Sequence, residues 1–164
     1  MGDHHHHGHD HDHHRRDPVA EAEAHCLRKG LKLTDMRRQV FEVLAGSPQA
    51  LGAYDLIDAL ASAGRKRLAP ISVYRALDFL LEAGLAHKIE SRNAYVACPH
   101  MHGADEVVVF MICDGCGRVQ ESTSNTVAKA IAGVARDQHF KPRGQVIEMH
   151  GRCAACGDGP VLTA

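Results

Sequence analysis

Residues 72–97, SVYRALDFLLEAGLAHKIESRNAYVA, combine a helix signal with a hairpin signal that follows it directly. Ser72 is a residue type that caps helices, and apolar residues then recur at helical spacing up to Gly84. Two short strands are predicted next, over residues 85–90 and 94–97, with Ser-Arg-Asn as the turn between them. A helix that leads into a hairpin of this size is typical of the end of a winged helix-turn-helix domain.

The residues before this stretch predict three more helices. Residues 19–29 have helical composition, Thr34 can cap a second helix, and residues 54–63 have the apolar spacing of a third. The sequence therefore predicts four helices and a hairpin, which together form a winged-helix domain at residues 19–97.

The residues after the hairpin change from helical to strand periodicity. An apolar, β-branched run predicts a buried strand over residues 107–112. A strand, a helix and a strand are predicted to follow, at residues 118–122, 125–138 and 145–150. The predicted fold class is thus α+β, in which a linker at residues 98–105 leads to a small α/β dimerisation domain at residues 106–164.

Length and composition exclude several classes of protein. The 164 residues are too few for an α/β barrel, and the 45% apolar content suits one large domain or two small ones. The sequence has no apolar run of the roughly 18–20 residues that cross a bilayer. Its His-rich start also lacks the apolar segment of a secretory signal. We therefore expect a cytoplasmic protein with no membrane partner, whose six cysteines are reduced.

Histidine and charge are distributed unevenly along the chain. Eight of the 14 histidines lie in residues 1–14, MGDHHHHGHDHDHH, which have no apolar residue after Met1 and cannot form a core. We predict a disordered tail at residues 1–18, and its interrupted His runs favour a native metal-concentrating segment over an expression tag. Residues 15–97 carry 13 basic and 10 acidic side chains, so the overall charge of −1 does not argue against a nucleic-acid face there.

Two Cys-x-x-Cys pairs carry the strongest chemical signal. Cys113 with Cys116, and Cys153 with Cys156, can each point two thiolates at one ion. Together they supply the four sulfur ligands of a tetrahedral structural zinc site. A disulfide pair is disfavoured in a reducing compartment, and a redox dithiol normally has a single such pair. A closed four-ligand site contributes folding free energy and leaves no position open for catalysis.

A second group of metal-ligating residues collects around the domain boundary. It comprises His87 in the predicted hairpin, Cys98 at its end, His100 and His102 in the linker, and Glu121 in the second domain. Each of these has an ordinary alternative role, as a surface histidine, a small core cysteine or a solvated strand end. Their convergence on one boundary predicts a site of mixed N, S and O ligands, which would tie the two domains together when filled.

A basic loop and the helix after it form the candidate DNA-binding face. Residues 65–67, Arg-Lys-Arg, precede the helix that Ser72 is predicted to cap, which would place Tyr74 and Arg75 in its first turn. The first turn of a recognition helix enters the major groove, where an arginine can bond guanine through two hydrogen bonds. An ordinary solvated helix face is the alternative. Three further basic residues could hold phosphates: Arg37, Arg38 and Lys88.

Four segments resemble the ferric uptake regulator family, and within it the zinc uptake regulator branch. They are AYDLIDAL, SVYRALDFLLEAGLAHKIES, FMICDGCGRVQE and VIEMHGRCAAC, and the resemblance covers about residues 19–157. It implies a homodimeric, zinc-activated transcriptional repressor of zinc-uptake genes that binds double-stranded operator DNA. It also implies two zinc ions per subunit, one structural at the four paired cysteines and one regulatory.

The family's regulatory zinc has ligands of the His, Cys, His and Glu type. Three of them correspond to His87, Cys98 and Glu121. The remaining ligand departs from the pattern, because the branch has a histidine several residues before the first Cys-x-x-Cys pair, whereas here the histidines lie further back and a glutamate lies nearer. The nearest alternatives are His102, which we favour, His100 and Glu106.

Three other functions compete with a zinc-responsive repressor. An iron or peroxide sensor of the same family would favour N and O ligands, whereas the thiolate of Cys98 favours zinc. A zinc enzyme needs an open metal position, and the sequence has neither an HExxH motif nor a nucleophile–base pair beside such a position. We therefore expect no catalysis and no small organic substrate. A zinc buffer or metallochaperone is suggested by the His-rich tail alone.

Overall fold

The computed structural model describes residues 17–62, 69–98, 107–142 and 146–157 of the chain. The helices and strands have these bounds: α1 Pro18–Arg28, α2 Asp35–Ala45, α3 Ala53–Ser62, α4 Pro70–Ala83, β1 Ala86–Ile89, β2 Ala94–Ala97, β3 Val108–Cys113, β4 Val119–Thr123, α5 Asn125–Asp137 and β5 Val146–Gly151. Single 3-10 turns lie at Glu90–Arg92 and Ala154–Cys156. The predicted order of elements and the α+β fold class are confirmed. Within the described ranges, none of the helices has the length and apolarity to cross a membrane.

The start of α1 lies at the predicted end of the tail. Pro18 is the first residue of the helix, and Asp17 Oδ1 accepts a hydrogen bond of 2.9 Å from the backbone N–H of Val19. Residues 1–16 lie outside the described residues, as do the basic loop at residues 65–67 and residues 99–106.

The helix α4 begins three residues earlier than the sequence predicts. Its first residue is Pro70, because proline has the φ that this position requires and lacks an N–H that the position does not use. Ala69 holds the cap position, and Ser72 is the third residue of the helix rather than its cap. Tyr74 and Arg75 consequently lie in the second turn, so the prediction that they lie in the first turn is wrong.

The first hydrophobic core is aliphatic and belongs to the winged helix. The helix α4 ends at Gly84, whose φ of +74° is a left-handed conformation that glycine adopts without strain. The chain turns there into β1, with a 2.8 Å hydrogen bond from Leu85 N to Leu80 O. The largest buried side chains of this core come from α2, α3 and α4 and from Leu85 directly after α4: Val40, Phe41, Leu44, Leu56, Leu60, Val73, Leu77, Leu80 and Leu85.

The second hydrophobic core joins the hairpin to the second domain. The strands β1 and β2 pair antiparallel, and a separate three-stranded sheet has the order β4-β3-β5, with β3 antiparallel to β4 and parallel to β5. Ile89 and Val96 of the hairpin pack in one buried cluster with Val108, Phe110 and Ile112 of β3. The hairpin is therefore anchored in both domains.

An apolar face remains exposed on the second domain. Every residue of α5 is at least partly exposed. Val134 of α5 has a relative exposure of 66%, and Phe140 and Val146 have 67% and 52%. Apolar side chains that are exposed next to one another in this way mark an interaction surface.

Candidate metal centres and nucleic-acid-binding face

The structure brings the four paired cysteines together into one cluster. Cys113 ends β3, Cys116 follows in the turn, Cys153 caps the last 3-10 turn, and Cys156 is the last residue of that turn. All four sulfur atoms lie within 4.8 Å of one another, and those of Cys116 and Cys153 are 3.7 Å apart. Sulfur ligands placed tetrahedrally around one zinc ion lie about 3.8 Å apart. The cluster thus has the spacing and chemistry of a closed zinc site.

Backbone geometry prepares these cysteines for metal. A Cβ on Gly115 would lie 3.1 Å from Cys156 Sγ, a tight contact, so glycine favours this close approach of the two pairs. The Cys153 N–H donates to Cys113 Sγ at 3.3 Å. This bond and a second from the Cys116 N–H lower the pKa of Cys113 from 9.0 to about 6. Side-chain hydrogen bonds with the neighbouring thiols raise the pKa of Cys156 to about 12. These hydrogen bonds thus favour the thiolate form at Cys113 and disfavour it at Cys156.

The second cluster, which we name the junction site, consists of His87, Cys98 and Glu121. Its ligand atoms all lie within 4.8 Å of one another. Cys98 Sγ is 3.9 Å from Glu121 Oε1, and His87 Nε2 is 3.8 Å from Glu121 Oε2. These distances are close to the roughly 3.3–3.8 Å between ligands that share one tetrahedral zinc ion. One imidazole, one thiolate and one carboxylate form a donor set that suits zinc.

Strand pairing explains why residues so far apart in sequence meet at the junction site. His87 lies in β1, and Cys98 follows β2, where its N–H donates to Leu85 O at 2.9 Å. Glu121 in β4 is opposite Phe110 in β3, and the Phe110 ring lies 5.2 Å from the His87 ring. The second hydrophobic core thus positions the site.

One side of the junction site borders open space. A cavity of about 230 Å³ is lined by Cys98 and Glu121 and by residues of α1 and α2. This space can admit a further ligand. The three residues predicted for that position, His100, His102 and Glu106, lie outside the described residues, so the choice among them stays a prediction.

The proposed base-contacting residues are exposed on α4. Tyr74 and Arg75 both face solvent, and Ser72 is partly buried in the first turn. The exposed Tyr54 at the start of α3 lines a small cavity together with Tyr74. The sequence-based prediction did not include Tyr54, which the fold places beside Tyr74. Its hydroxyl can donate to a phosphate.

The three proposed phosphate contacts already have partners within the protein. The Arg37 guanidinium stacks over the Phe79 ring at 3.6 Å and donates to Lys32 O at 2.7 Å. Arg38 forms an ion pair with Glu23, and Lys88 Nζ lies 2.7 Å from Glu90 Oε2. The hydrogen bond with Glu90 raises the pKa of Lys88. Arg37 therefore also joins α2 to α4, which sequence analysis did not predict.

The fold and the two clusters define a winged-helix protein with two separate groups of metal ligands. One group lies within the second domain, and the other lies between the domains. The chain belongs to the ferric uptake regulator family, whose profile matches residues 28–150, most of the chain.

The chain is similar to zinc regulators in this family. It is 41% identical to the zinc uptake regulation protein of Escherichia coli (strain K12) over 138 residues, which cover 84% of this chain and 80% of that protein. It is also similar to the structure of a zinc uptake regulator complexed with zinc and DNA, with a TM-score of 0.78, 40% identity and coverage of 84% and 91% of the two chains. A similar structure of holo XcZur has a TM-score of 0.76, 40% identity and coverage of 84% and 95%.

Proposed function

We propose that this chain is a zinc-responsive, DNA-binding transcriptional repressor that controls zinc-uptake genes and acts as a homodimer. The observation that carries this proposal is the junction site, because its ligands come from both domains and include a thiolate. The comparisons support the same function, since one relative is a zinc uptake regulation protein and one similar structure contains zinc and DNA.

The four-cysteine cluster is the proposed structural site. Its ligands all belong to the second domain, and a site with four protein sulfurs is complete without a further ligand. When bound there, zinc contributes folding free energy to the second domain. With the junction site, this makes one structural and one regulatory zinc ion per subunit.

The junction site is the proposed sensor. His87 belongs to the winged-helix domain, Cys98 follows directly after the last strand of that domain, and Glu121 belongs to the second domain. Zinc, when bound, supplies the charge that holds these groups together, with His102 as the favoured additional ligand and His100 and Glu106 as alternatives. The three side chains thereby favour one placement of the winged helix over others. A tenfold gain in DNA affinity requires about 1.4 kcal/mol of such coupling.

The proposed DNA contacts and the proposed dimer surface lie on different domains. Arg75, Tyr74 and Ser72 of α4 would face the major groove, and Arg37, Arg38 and Lys88 would approach phosphates. The exposed apolar face around Val134 and Phe140 would pair with a second copy. The metal-dependent placement of each winged helix would then set the spacing of the two α4 helices on the operator.

One experiment tests the repressor and its sensor together. A duplex selected from random DNA by the zinc-loaded protein serves as operator, and operator binding is titrated in zinc–chelator buffers. Bound zinc is counted once in the presence of a weak chelator and once in the presence of a strong chelator. We expect two zinc ions per subunit with the weak chelator and one with the strong chelator. Operator binding should require the second ion.

The variant Cys98→Ser identifies the sensor, and Cys26→Ser is its matched control. Both thiols are about 1% exposed, but Cys26 lies in α1 outside both clusters. Cys98→Ser should remain folded with one zinc ion per subunit and lose zinc-dependent operator binding, whereas Cys26→Ser should respond as the wild type does. A Cys98→Ser protein that answers to the same zinc concentration as the wild type would show that the sensor lies elsewhere. Activation by Fe²⁺ at lower concentration than by zinc would favour the iron sensor.

A further inference from the structure

A second set of contacts, separate from the junction site, fastens the hairpin to the second domain. Glu148 of β5 points at the 3-10 turn Glu90–Arg92 that joins β1 to β2. Its Oε1 accepts a hydrogen bond of 2.6 Å from Glu90 N–H, and its Oε2 accepts one of 3.2 Å from Ser91 N–H. One carboxylate thus binds the first two amides of this turn, which are the donors that a helical turn leaves without an internal partner.

The turn that contains Cys113 and Cys116 makes a second set of contacts with the winged-helix domain. Gln49, in the loop between α2 and α3, donates from Nε2 to Cys116 O at 2.6 Å. The Arg92 Nη2 atom lies 3.5 Å from Cys113 O and 3.6 Å from Asp114 Oδ1. A Cβ on Gly117 would lie 3.4 Å from the Gln49 Nε2 atom, and the φ of +73° at Gly117 is a conformation that glycine adopts without strain. We name Glu148, Gln49 and Arg92 the clasp.

The charge of Glu148 strengthens its half of the clasp. Burial raises the pKa of the Glu148 carboxyl, but hydrogen bonds from Ser91 and Glu90, with His150 nearby, lower it by more, so the net shift is downward. The carboxylate is therefore ionised at neutral pH. Hydrogen bonds to an ionised acceptor are about twice as strong as neutral ones.

The clasp and the junction site act on the same hairpin. His87 precedes Glu90 by three residues, and both are held by the second domain, one through a metal site and the other through Glu148. The similarity to the zinc- and DNA-bound structure extends over 84% of the chain with a TM-score of 0.78, which supports a DNA-competent arrangement for the contacts described here.

We propose that Glu148, Gln49 and Arg92 are positioning residues that hold the DNA-competent arrangement without metal and thereby set the zinc concentration at which the protein binds DNA. This inference rests on the proposed function. The apparent affinity of a ligand falls in proportion to the population of the state that binds it. A clasp that raises the population of the competent arrangement before zinc binds therefore lowers the zinc concentration required.

The test measures operator binding against buffered free zinc for Glu148→Ala and Gln49→Ala. The matched control is Asp137→Asn, which removes one acidic charge from an exposed position of the same domain. We expect Glu148→Ala to raise the half-maximal zinc concentration about fivefold, the lower end of typical coupling, because the contact is partly exposed. Glu148→Gln, which keeps one acceptor oxygen, should give a smaller shift. Operator affinity at saturating zinc should equal that of the wild type.

A second readout does not depend on DNA. In protein that holds only the structural zinc, Glu148→Ala should speed hydrogen exchange at the Glu90 and Ser91 amides, while exchange in the first hydrophobic core stays unchanged. A merely structural role would lower the melting temperature without moving the zinc midpoint. Unchanged midpoints in Glu148→Ala and Gln49→Ala, beside a wild type that responds to zinc, would overturn the clasp alone. A wild type that does not respond to zinc would overturn the proposed function and the clasp with it.

Discussion

The two metal-ligating clusters differ in where their ligands come from. The four cysteines lie within 44 residues of one another in the second domain, and all are sulfurs. The junction site takes His87 from the winged helix, Cys98 from the residue directly after it and Glu121 from the second domain, with three different donor atoms. A site made within one domain can stabilise only that domain. A site made between domains can also change how they are placed, because its ligands meet in some placements and not in others.

The largest expected effect follows from removing a ligand of the four-cysteine cluster. Cys113→Ser or Cys153→Ser should unfold the second domain and dissociate the dimer. Zinc contributes on the order of 10 kcal/mol to small zinc domains, which is as much as the whole stability of a typical domain. Thermal melting and sedimentation measure this, with Cys26→Ser as control. A stable dimeric Cys113→Ser protein that keeps its junction zinc would contradict the structural role of the four-cysteine cluster, because neither cluster would then be needed for folding.

The next largest effect is expected from variants of the junction site, which should lose zinc-dependent operator binding without losing the fold. His87→Ala and Glu121→Ala should each leave a folded dimer with one zinc ion and abolish zinc-dependent operator binding. The same panel decides the third ligand. His102→Ala should behave as they do, whereas His100→Ala and Glu106→Ala should stay close to the wild type. Zinc stoichiometry and operator affinity are the measurements, and loss of response in His100→Ala with a normal His102→Ala would reassign the ligand.

A smaller effect isolates DNA contact from both metal sites. Arg75→Ala should weaken operator binding by about 1–3 kcal/mol and relax base preference at one position, while both zinc ions stay bound. Arg37→Ala should weaken operator and random DNA alike and reduce the salt dependence by about one phosphate contact. It should also lower the melting temperature, because Arg37 stacks on Phe79. Normal operator binding by Arg75→Ala would remove α4 from the proposed DNA interface.

The smallest effect concerns the His-rich tail. Deletion of residues 2–14 should lower the amount of weakly held zinc but leave operator affinity and its zinc midpoint within about twofold of the full chain, because the two described clusters lie outside the tail. Elemental analysis and the same operator titration measure both quantities. If the zinc midpoint of operator binding instead moves strongly, the tail takes part in zinc sensing beside the junction site.

The local signals in the sequence determined the order of elements and each Cys-x-x-Cys half of the four-cysteine cluster. Gly84 ends a helix because glycine adopts its positive φ, and Cys-x-x-Cys spacing brings two thiolates to one ion whatever surrounds them. Such features depend on residues within a few positions of one another. The predicted cap at Ser72 was wrong. Pro70, two residues earlier, is a stronger local signal for a helix start, and the helix begins there.

Only the tertiary structure decided how distant residues meet. The pairing of β3 with both β4 and β5 brings Glu121 to His87 and Cys98, and it brings Glu148 to the amides of the hairpin turn. The stacking of Arg37 on Phe79 likewise depends on how α2 packs against α4. The sequence offered no local sign that Glu148 or Gln49 carries an interdomain contact, because an isolated glutamate or glutamine looks the same on any solvated surface. Contacts between residues that are dozens of positions apart depend on the shared packing of Ile89, Val96 and Phe110. Packing of that kind is a property of the whole fold.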